Sequence, residues 1–212
     1  MKTTRLPRPS VERLCTYLRE LTRLSAKRME TIRSRELAKR VGVSADQIRR
    51  DFWLIGSFGK RGHGYDVEGL RKSVAAAIGL EKEWSFIVVG VGNLGTSVLN
   101  YKTLLLRGFK ACAAFDKDGA KIGKKVGGVK IQHVSALPRV IASKRPALAV
   151  LAVPASAAQE TADRLFRLGI KGILNLAPTD IFAPAGTRVR NADMSREIEA
   201  LAVAVKMTEL AR

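Results

Sequence analysis

A glycine-rich segment in the middle of the chain has the spacing of a phosphate-binding turn. Residues 86–89 are Phe-Ile-Val-Val, a pattern typical of a buried strand, and Gly90, Gly92 and Gly95 follow as G-x-G-x-x-G. In such a turn the first glycine permits the tight bend, the second lets the backbone approach a pyrophosphate, and the third lets the next helix pack closely. The N–H groups at the start of that helix favour an anion. The segment therefore predicts a dinucleotide site.

An acidic residue and two strand-end turns complete this predicted site. Asp116 follows Gly95 by 21 positions, where a carboxylate accepts the ribose hydroxyls of NAD and repels a 2′-phosphate, although the neighbouring Lys117 weakens the preference over NADP. The turns at 153–154 and 175–178 follow apolar runs and are expected to flank the nicotinamide. We expect NADH or NAD to contact Gly90, Val91, Gly92, Asn93, Leu94, Gly95, Asp116, Lys117, Val153, Pro154, Asn175, Ala177 and Pro178.

The sequence offers little that could catalyse a reaction. A dehydrogenase needs a proton donor or acceptor beside the reacting carbon, but the chain has no Tyr-x-x-x-Lys pair and His133 has no acidic neighbour. Residues 85–212 suffice for one nucleotide-binding domain and a tail, without a substrate domain. We therefore expect no enzyme activity and no metal. A small NAD-dependent oxidoreductase, or a module for another nucleotide such as coenzyme A, remains an alternative, and Asp116 argues against the latter.

Strands and helices alternate around the glycine segment. Apolar runs predict strands at 85–90, 110–116, 129–132, 147–153 and 170–176, with helices at 94–107, 134–143 and 155–168 between them. This alternation indicates an α/β fold in which a parallel, Rossmann-type doubly wound sheet is covered on both faces.

The first part of the chain has the layout of a helix-turn-helix. Helical spacing of apolar residues predicts a helix over 9–25, and after a polar stretch (25–33) Ser34 is predicted to cap a helix at 35–40 that Gly42 ends. Ser44 then caps a further helix, with Gln47 at the third position of a capping box. The core face of that helix is formed by Ile48, Phe52 and Ile55 at helical spacing. The polar residues near its N-terminus are therefore free to face DNA.

A glycine-rich hairpin is predicted over 56–67, in the place of the wing of a winged helix, and a linking helix over 67–80. Gln can pair with adenine and Arg with guanine in the major groove, and a basic wing tip suits a narrow minor groove. His63 is interpreted as a wing residue and not as a metal ligand. We expect double-stranded DNA to be contacted by Ser44, Gln47, Arg49, Arg50, Lys60, Arg61 and His63.

Charge supports a polyanionic partner. The net charge is +19, and residues 1–65 hold 16 Lys and Arg against 6 Asp and Glu. Nucleic acid is the first expectation and an anionic membrane the second, while a generally basic proteome would explain the charge without function. We expect no membrane span and no signal peptide. Cys15 and Cys112 are predicted to be buried apolar residues of a cytoplasmic protein.

Three regions follow from these patterns: a DNA-binding domain at 1–84, a Rossmann domain at 85–192 and a helix at 193–212. The last helix has an apolar stripe formed by Ile198, Leu201, Ala202 and Val205. The stripe must be buried either against its own domain or against a partner subunit.

The motifs, taken in order, resemble those of the Rex family of redox-sensing transcriptional repressors. They are 14–19 (Leu-Cys-Thr-Tyr-Leu-Arg), 47–51 (Gln-Ile-Arg-Arg-Asp), 56–59 (Gly-Ser-Phe-Gly), 61–65 (Arg-Gly-His-Gly-Tyr), 90–95, 115–116 (Phe-Asp), 169–175 (Gly-Ile-Lys-Gly-Ile-Leu-Asn) and 191–193 (Asn-Ala-Asp). The resemblance covers the whole chain.

This resemblance implies a homodimer with a swapped C-terminal helix, in which NADH binding releases palindromic operator DNA. It also implies a coupling trio formed by Arg19, Tyr101 and Asp193. The chain departs from the family at Asn93, where many relatives carry Arg, and at Leu176, where Phe is more usual.

Overall fold

A computed structural model gives the positions of residues 6–56 and 64–210. Contacts within the chain separate Met1–Lys82 from Glu83–Arg212 as two units. The boundary between the two units falls just before the first long strand, where helical spacing of apolar residues is replaced by a continuous apolar run. Within the two described ranges, no helix combines the length and the apolar character needed to cross a bilayer.

The first unit is mostly helical. Its elements are α1 (Arg8–Ala26), β1 (Thr31–Ile32), α2 (Ser34–Val41), α3 (Ala45–Ile55), β2 (Tyr65–Asp66) and α4 (Val67–Ala77). One buried cluster joins the four helices through Leu21 of α1, Leu37 of α2, Ile48 and Phe52 of α3, and Val74 of α4. The predicted helix over 9–25 and the predicted core face of α3 are confirmed, because apolar spacing determines which helix face is buried.

The turn between α2 and α3 has the predicted glycine at the end of α2 and the predicted serine cap at the start of α3. Gly42 has φ +72°, and its backbone N–H donates to the carbonyl of Ala38. Ser44 caps α3, since its Oγ accepts the Gln47 backbone N–H at 3.1 Å. The predicted capping box is wrong in its second half, because the Gln47 side chain binds Asp51 and does not return to the cap.

The start of α2 also differs from its prediction. Arg33, and not Ser34, is the N-cap, and the Glu36 side chain accepts the Arg33 backbone N–H at 3.1 Å. A carboxylate in the first turn supplies this acceptor. The polar stretch before α2 contains β1, whose Ile32 is buried.

Part of the predicted wing lies outside the described residues, which omit 57–63. Its described end, β2, pairs antiparallel with β1, so that Thr31 lies opposite Asp66 and Ile32 opposite Tyr65. Gly64 precedes this pair with φ +80°, and a Cβ there would lie 2.8 Å from the Ile32 carbonyl oxygen. The end of the predicted hairpin is therefore anchored beside the start of α2.

The second unit is built on a seven-stranded sheet. Its strands are β3 (Trp84–Val89), β4 (Phe109–Asp116), β5 (Lys125–Val126), β6 (Val129–His133), β7 (Leu148–Leu151), β8 (Gly172–Asn175) and β9 (Arg188–Asn191), in the order β5-β6-β4-β3-β7-β8-β9. All neighbours are parallel except β5 and β6. Without the short β5 this is the 3-2-1-4-5-6 order of dinucleotide-binding sheets, which reverses between β3 and β7. The predicted doubly wound sheet is confirmed.

Helices pack on both faces of this sheet. They are α5 (Asn93–Asn100), α6 (Lys102–Leu106), α7 (Leu137–Lys144) and α8 (Ala155–Arg167). Alternate residues of β3 face opposite sides. Ile87 joins a buried cluster with Ile141 of α7 and Leu165 of α8, while Val88 joins another with Leu99 of α5.

The single helix predicted over 94–107 is wrong, because the chain breaks it at Tyr101. Tyr101 has φ −77° and ψ +83°, outside the helical region, so α5 ends before it and α6 begins after it. The turn between β5 and β6 packs against the end of α5 so closely that a Cβ on Gly127 would overlap the Leu99 carbonyl oxygen. This long-range contact leaves no signal in the spacing of apolar residues.

The helix α9 (Met194–Leu210) ends the described chain. Its apolar stripe is open to solvent, with Ile198 67%, Leu201 65% and Val205 52% exposed. The stripe is therefore not buried against its own domain, which was one of the two alternatives. Exposed apolar area of this kind is typical of interaction sites.

Candidate cofactor site and nucleic-acid interface

The glycine loop joins β3 to α5 at the carboxyl edge of the sheet, where the strand order reverses. Gly90 has φ +91°, and a Cβ there would overlap the Ala152 carbonyl oxygen and lie 3.1 Å from Cγ1 of Val153. At Gly95 a Cβ would overlap the Gly90 carbonyl oxygen. These two glycines are therefore required by the close packing of the loop against its own chain.

Gly92 is different, because no described residue requires a glycine there. It is the N-cap of α5 with φ −85°, and a Cβ built on it would meet no atom of residues 6–56 or 64–210 within 4 Å. The first N–H groups of a helix lack intrahelical acceptors and attract anions. The open space over Gly92 and the start of α5 together fit the pyrophosphate of a dinucleotide.

Asp116 ends β4 beside this loop. Its carboxylate accepts the Val91 backbone N–H at 2.8 Å, the Asp118 backbone N–H at 2.9 Å and the Lys121 ammonium at 3.2 Å. Burial alone would raise the pKa of the Asp116 carboxyl, but these hydrogen bonds and the Lys121 charge bring the pKa below its ordinary value. The carboxylate therefore stays charged where a ribose is expected.

The cation beside Asp116 is Lys121, which sequence analysis did not single out. Lys117, the predicted neighbour, is exposed, and no described residue forms an ion pair with it. The sequence pattern hardly indicates this role of Lys121, because the position of its side chain depends on the turn at 117–124 and not on helical or strand spacing.

The two strand-end turns lie next to the glycine loop. Val89 of β3 is in register with Leu151 of β7, which is in register with Asn175 of β8. The carboxyl ends of three neighbouring strands therefore bring together the residues predicted to bind the cofactor at 90–95, 153–154 and 175–178. Of the two family departures, Asn93 is exposed, and Leu176 packs partly buried against the cluster that contains Val88.

A fully buried amide fixes the turn after β8. The Asn175 Nδ2 donates to the Thr179 carbonyl at 2.6 Å and to the Asn191 Oδ1 at 2.9 Å, while its Oδ1 accepts the Ala177 N–H at 3.0 Å. Asn191 ends β9, two residues before Asp193. The turn predicted to flank the nicotinamide is thus tied to the segment that begins α9, a link that the sequence did not predict.

The described residues hold no arrangement suited to catalysis. His133 caps a single 3₁₀ turn, with its Nδ1 2.8 Å from the Ser135 hydroxyl. Cys15 and Cys112 are half-buried, not buried as predicted. Among residues 6–56 and 64–210, no cluster of His, Cys, Asp and Glu could hold a metal ion.

The side of α3 opposite its core face is basic and aromatic. Arg49 and Arg50 are exposed on it, and Trp53, one turn further along the helix, is 78% exposed. Arg49 contacts Ser34 and Asp46, whereas no described residue forms an ion pair with Arg50. An exposed indole among cations suits a nucleic-acid surface, and sequence analysis missed Trp53 because it lies at neither core nor cap spacing.

A buried carboxylate fixes α3 to α1. Asp51 is 1% exposed and accepts from Arg13 through Nε at 2.6 Å and Nη2 at 2.7 Å, and from the Tyr17 hydroxyl at 2.8 Å. The Gln47 Nε2 donates to the same carboxylate at 3.1 Å. Burial alone would raise the pKa of Asp51, but the hydrogen bonds from Arg13, Tyr17 and Gln47 bring it below its ordinary value.

The three residues of the expected coupling trio are distributed over both units. Arg19 is exposed on α1 in the first unit. In the second unit Tyr101 is 59% exposed, and the Asp193 carboxylate caps α9 by accepting the Ser195 N–H at 2.9 Å. Their coupling stays a prediction, as do the DNA contacts of Lys60, Arg61 and His63, which lie outside the described residues.

Comparisons with known proteins agree with this division into two units. A family described as a putative DNA-binding protein N-terminus matches residues 5–52, and one described as a CoA binding domain matches residues 81–179. The redox-sensing transcriptional repressor Rex of Streptomyces avermitilis is 43% identical over 197 residues, which cover 93% of this chain and 78% of that protein.

Solved structures match over nearly the whole chain. RSP in complex with β-NAD⁺ and operator DNA has a TM-score of 0.91 at 34% identity, covering 98% of this chain and 95% of that one. RSP in complex with β-NADH has a TM-score of 0.86 at 33% identity, covering 98% and 97%. The fold and the site define a helical DNA-binding region followed by a Rossmann-type domain. With the relatives described above, the chain belongs to the Rex family of redox-sensing transcriptional repressors.

Proposed function

We propose that this chain represses transcription by binding palindromic operator DNA through α3 and the wing, and that NADH bound at the glycine loop releases it. The observation that carries the proposal is the open space over Gly92 at the strand-order reversal, in a chain that also presents the basic face of α3. The same chain therefore has a place for the cofactor and a place for DNA.

On the cofactor side, each group of the chain has one task. The start of α5 holds the pyrophosphate, and Asp116 accepts from the adenosine ribose. The turns at 153–154 and 175–178 flank the nicotinamide, whose positive charge is lost on reduction. The chain binds NAD and NADH without turning over a substrate, and it reports their ratio.

On the DNA side, α3 enters the major groove with Ser44 and Gln47 near its start and Arg49 and Arg50 on its outer face. Lys60, Arg61 and His63 of the wing reach the adjacent minor groove. The structures of RSP hold operator DNA and both redox forms of the cofactor on a relative of this chain. A repressor acts where its operator lies, so we place the protein in the cytoplasm.

The exposed stripe of α9 supports a homodimer, in which each helix covers apolar surface of the other copy. A two-fold symmetric dimer requires a palindromic operator. NADH can shift such a dimer only by binding its DNA-incompetent arrangement more tightly. Arg19, Tyr101 and Asp193 are the proposed residues through which the two arrangements differ.

The test is operator binding with the cofactors titrated separately. A duplex selected by the protein from a random library is titrated with protein, and NADH, NAD⁺ and NADPH are each added at saturation. We expect NADH to release the duplex and NAD⁺ to leave it bound. Failure of NADH to change the affinity would contradict the sensor function.

A variant pair locates the DNA surface. Arg50→Ala is expected to weaken operator binding by about 1–3 kcal/mol and to relax specificity at one base pair. Lys72→Ala is the matched control, because Lys72 is an exposed cation on α4 that also contributes one positive charge. Equal affinities of the two variants would remove Arg50 from the interface.

A further inference from the structure

The carboxylate of Asp51 has no capacity left for DNA. An ionised carboxylate has about four acceptor positions. In Asp51 the Oδ2 accepts from the Arg13 Nε and the Tyr17 hydroxyl, and the Oδ1 accepts from the Arg13 Nη2 and the Gln47 Nε2. Asp51 therefore acts on DNA only through the residues that it holds.

Gln47 is the one of those donors that lies near the start of α3. Its amide has a donating end, Nε2, and an accepting end, Oε1. Because an ionised carboxylate can only accept, the end that faces Asp51 must be Nε2. The Oε1 then points away from Asp51, and no described residue donates a hydrogen bond to it.

We propose that Asp51, held by Arg13 and Tyr17, is a positioning residue that fixes the polarity of the Gln47 amide, so that Gln47 reads adenine through Oε1. This role rests on the proposed function, in which α3 lies in the major groove. There adenine offers its N6 amino group to Oε1 and its N7 to the second hydrogen of Nε2. Guanine and thymine place a carbonyl oxygen opposite Oε1 and are rejected.

Burial and charge keep the amide in this orientation. Reversing it would place Oε1 against a buried carboxylate, so that two acceptors would face each other without a hydrogen. The Arg13 guanidinium compensates the buried charge of Asp51 with two hydrogen bonds in fork geometry. The polarity of Gln47 is therefore set before DNA arrives.

The first experiment finds the base pair that Gln47 reads. Wild type and Gln47→Ala are titrated with operators in which each base pair is substituted in turn. The expected result is loss of preference at one base pair in each half-site, where the wild type prefers adenine. If the wild-type preference there is guanine or thymine, or if Gln47→Ala changes preference nowhere while still binding, the inference is overturned and the proposed function stands. A wild type that selects no duplex fails the proposed function instead.

The second experiment tests polarity without changing the protein. The adenine is replaced by purine, which keeps N7 and lacks the 6-amino group. Wild type is expected to bind this operator about tenfold more weakly, and Gln47→Ala is expected to bind both operators equally. Undiminished wild-type binding would overturn the inference, because Oε1 would then not be the reading atom.

The third experiment removes the fixed acceptor. In Asp51→Asn the side chain can donate as well as accept, so the Gln47 amide is free to turn, and the preference at that base pair is expected to fall about tenfold with the others retained. Lys72→Ala is the matched control. A folded Asp51→Asn with wild-type preference overturns the role of Asp51. If the variant does not fold, the operator with purine decides, because it measures the polarity in the wild type.

Discussion

Gly92 separates the requirements of the fold from those of the cofactor. Gly90 and Gly95 lie where a Cβ would overlap the backbone of the same chain, whereas a Cβ on Gly92 would meet no described atom within 4 Å. The backbone of Gly92 is extended, with φ −85° and ψ −157°. The substitution Gly92→Ala is therefore expected to affect the ligand and not the fold.

The expected changes in stability and in NADH affinity follow from the backbone conformation of Gly92 and the open space over it. Replacing glycine by alanine at a compatible conformation stabilises a protein by about 0.4–1 kcal/mol, because the unfolded chain loses freedom. A methyl group forced into a close-packed contact costs about 1–3 kcal/mol. We expect unfolding in urea to show Gly92→Ala within about 1 kcal/mol of wild type, because the poorer fit of alanine to the N-cap offsets the gain in the unfolded state, while calorimetry shows NADH affinity reduced about 5–150-fold.

Gly95→Ala is the matched control, because its Cβ would overlap the Gly90 carbonyl oxygen. It is expected to lose stability by about 1–3 kcal/mol even without cofactor. If Gly92→Ala binds NADH as the wild type does, the pyrophosphate does not pass over Gly92. If it instead unfolds as readily as Gly95→Ala, the space over Gly92 is not open and the reasoning from packing is refuted.

Three further predictions concern charge and coupling. Asp116→Asn removes the charge that repels a 2′-phosphate, so calorimetry should show the preference for NADH over NADPH reduced by at least about tenfold, ~1.4 kcal/mol; an unchanged ratio would place the ribose elsewhere. Asp193→Ala should reduce the effect of saturating NADH on operator affinity while NADH affinity stays within a few fold, and Tyr101→Phe should show a milder form of this defect. If the ratio of operator affinities with and without NADH is the same in wild type, Asp193→Ala and Tyr101→Phe, the trio does not couple the two sites. The folded-state pKa of Asp51 is lowered, so its stabilisation is present above the unfolded value of about 3.9 and is lost as pH falls through the folded value. Urea unfolding should therefore show the stability gap between wild type and Asp51→Asn narrowing below about pH 4, and a constant gap would contradict this.

The sequence predicted the elements whose burial is continuous or periodic. β3 was predicted because a parallel strand covered on both faces is apolar throughout, and α1 because one helix face is apolar. β9 was missed because its residues, Arg-Val-Arg-Asn, form an edge strand without an apolar run. The break at Tyr101 was missed because apolar residues continue on both sides of it, at Leu99 and Leu104, without a glycine or proline between them.

The candidate site was predictable to the extent that backbone geometry determines it. The glycine spacing and the place of Asp116 follow from local rules, and the structure brings them to one edge of the sheet. Side-chain networks follow no such rule. Arg13 and Asp51 are separated by 38 positions, and Asn175 and Asn191 by 16, so only the folded chain shows that each pair is bonded.

The two edges of the sheet bear on how copies of this chain can associate. One edge is β5, with two residues, and the other is β9, whose exposed Arg188 and Arg190 lie along the strand. Short strands and charged side chains at an edge prevent a second sheet from adding to it. These edges therefore disfavour extension of the sheet by a second copy into a ribbon or a fibre. Pairwise association through helices, which closes after two copies, is the route that these edges leave open.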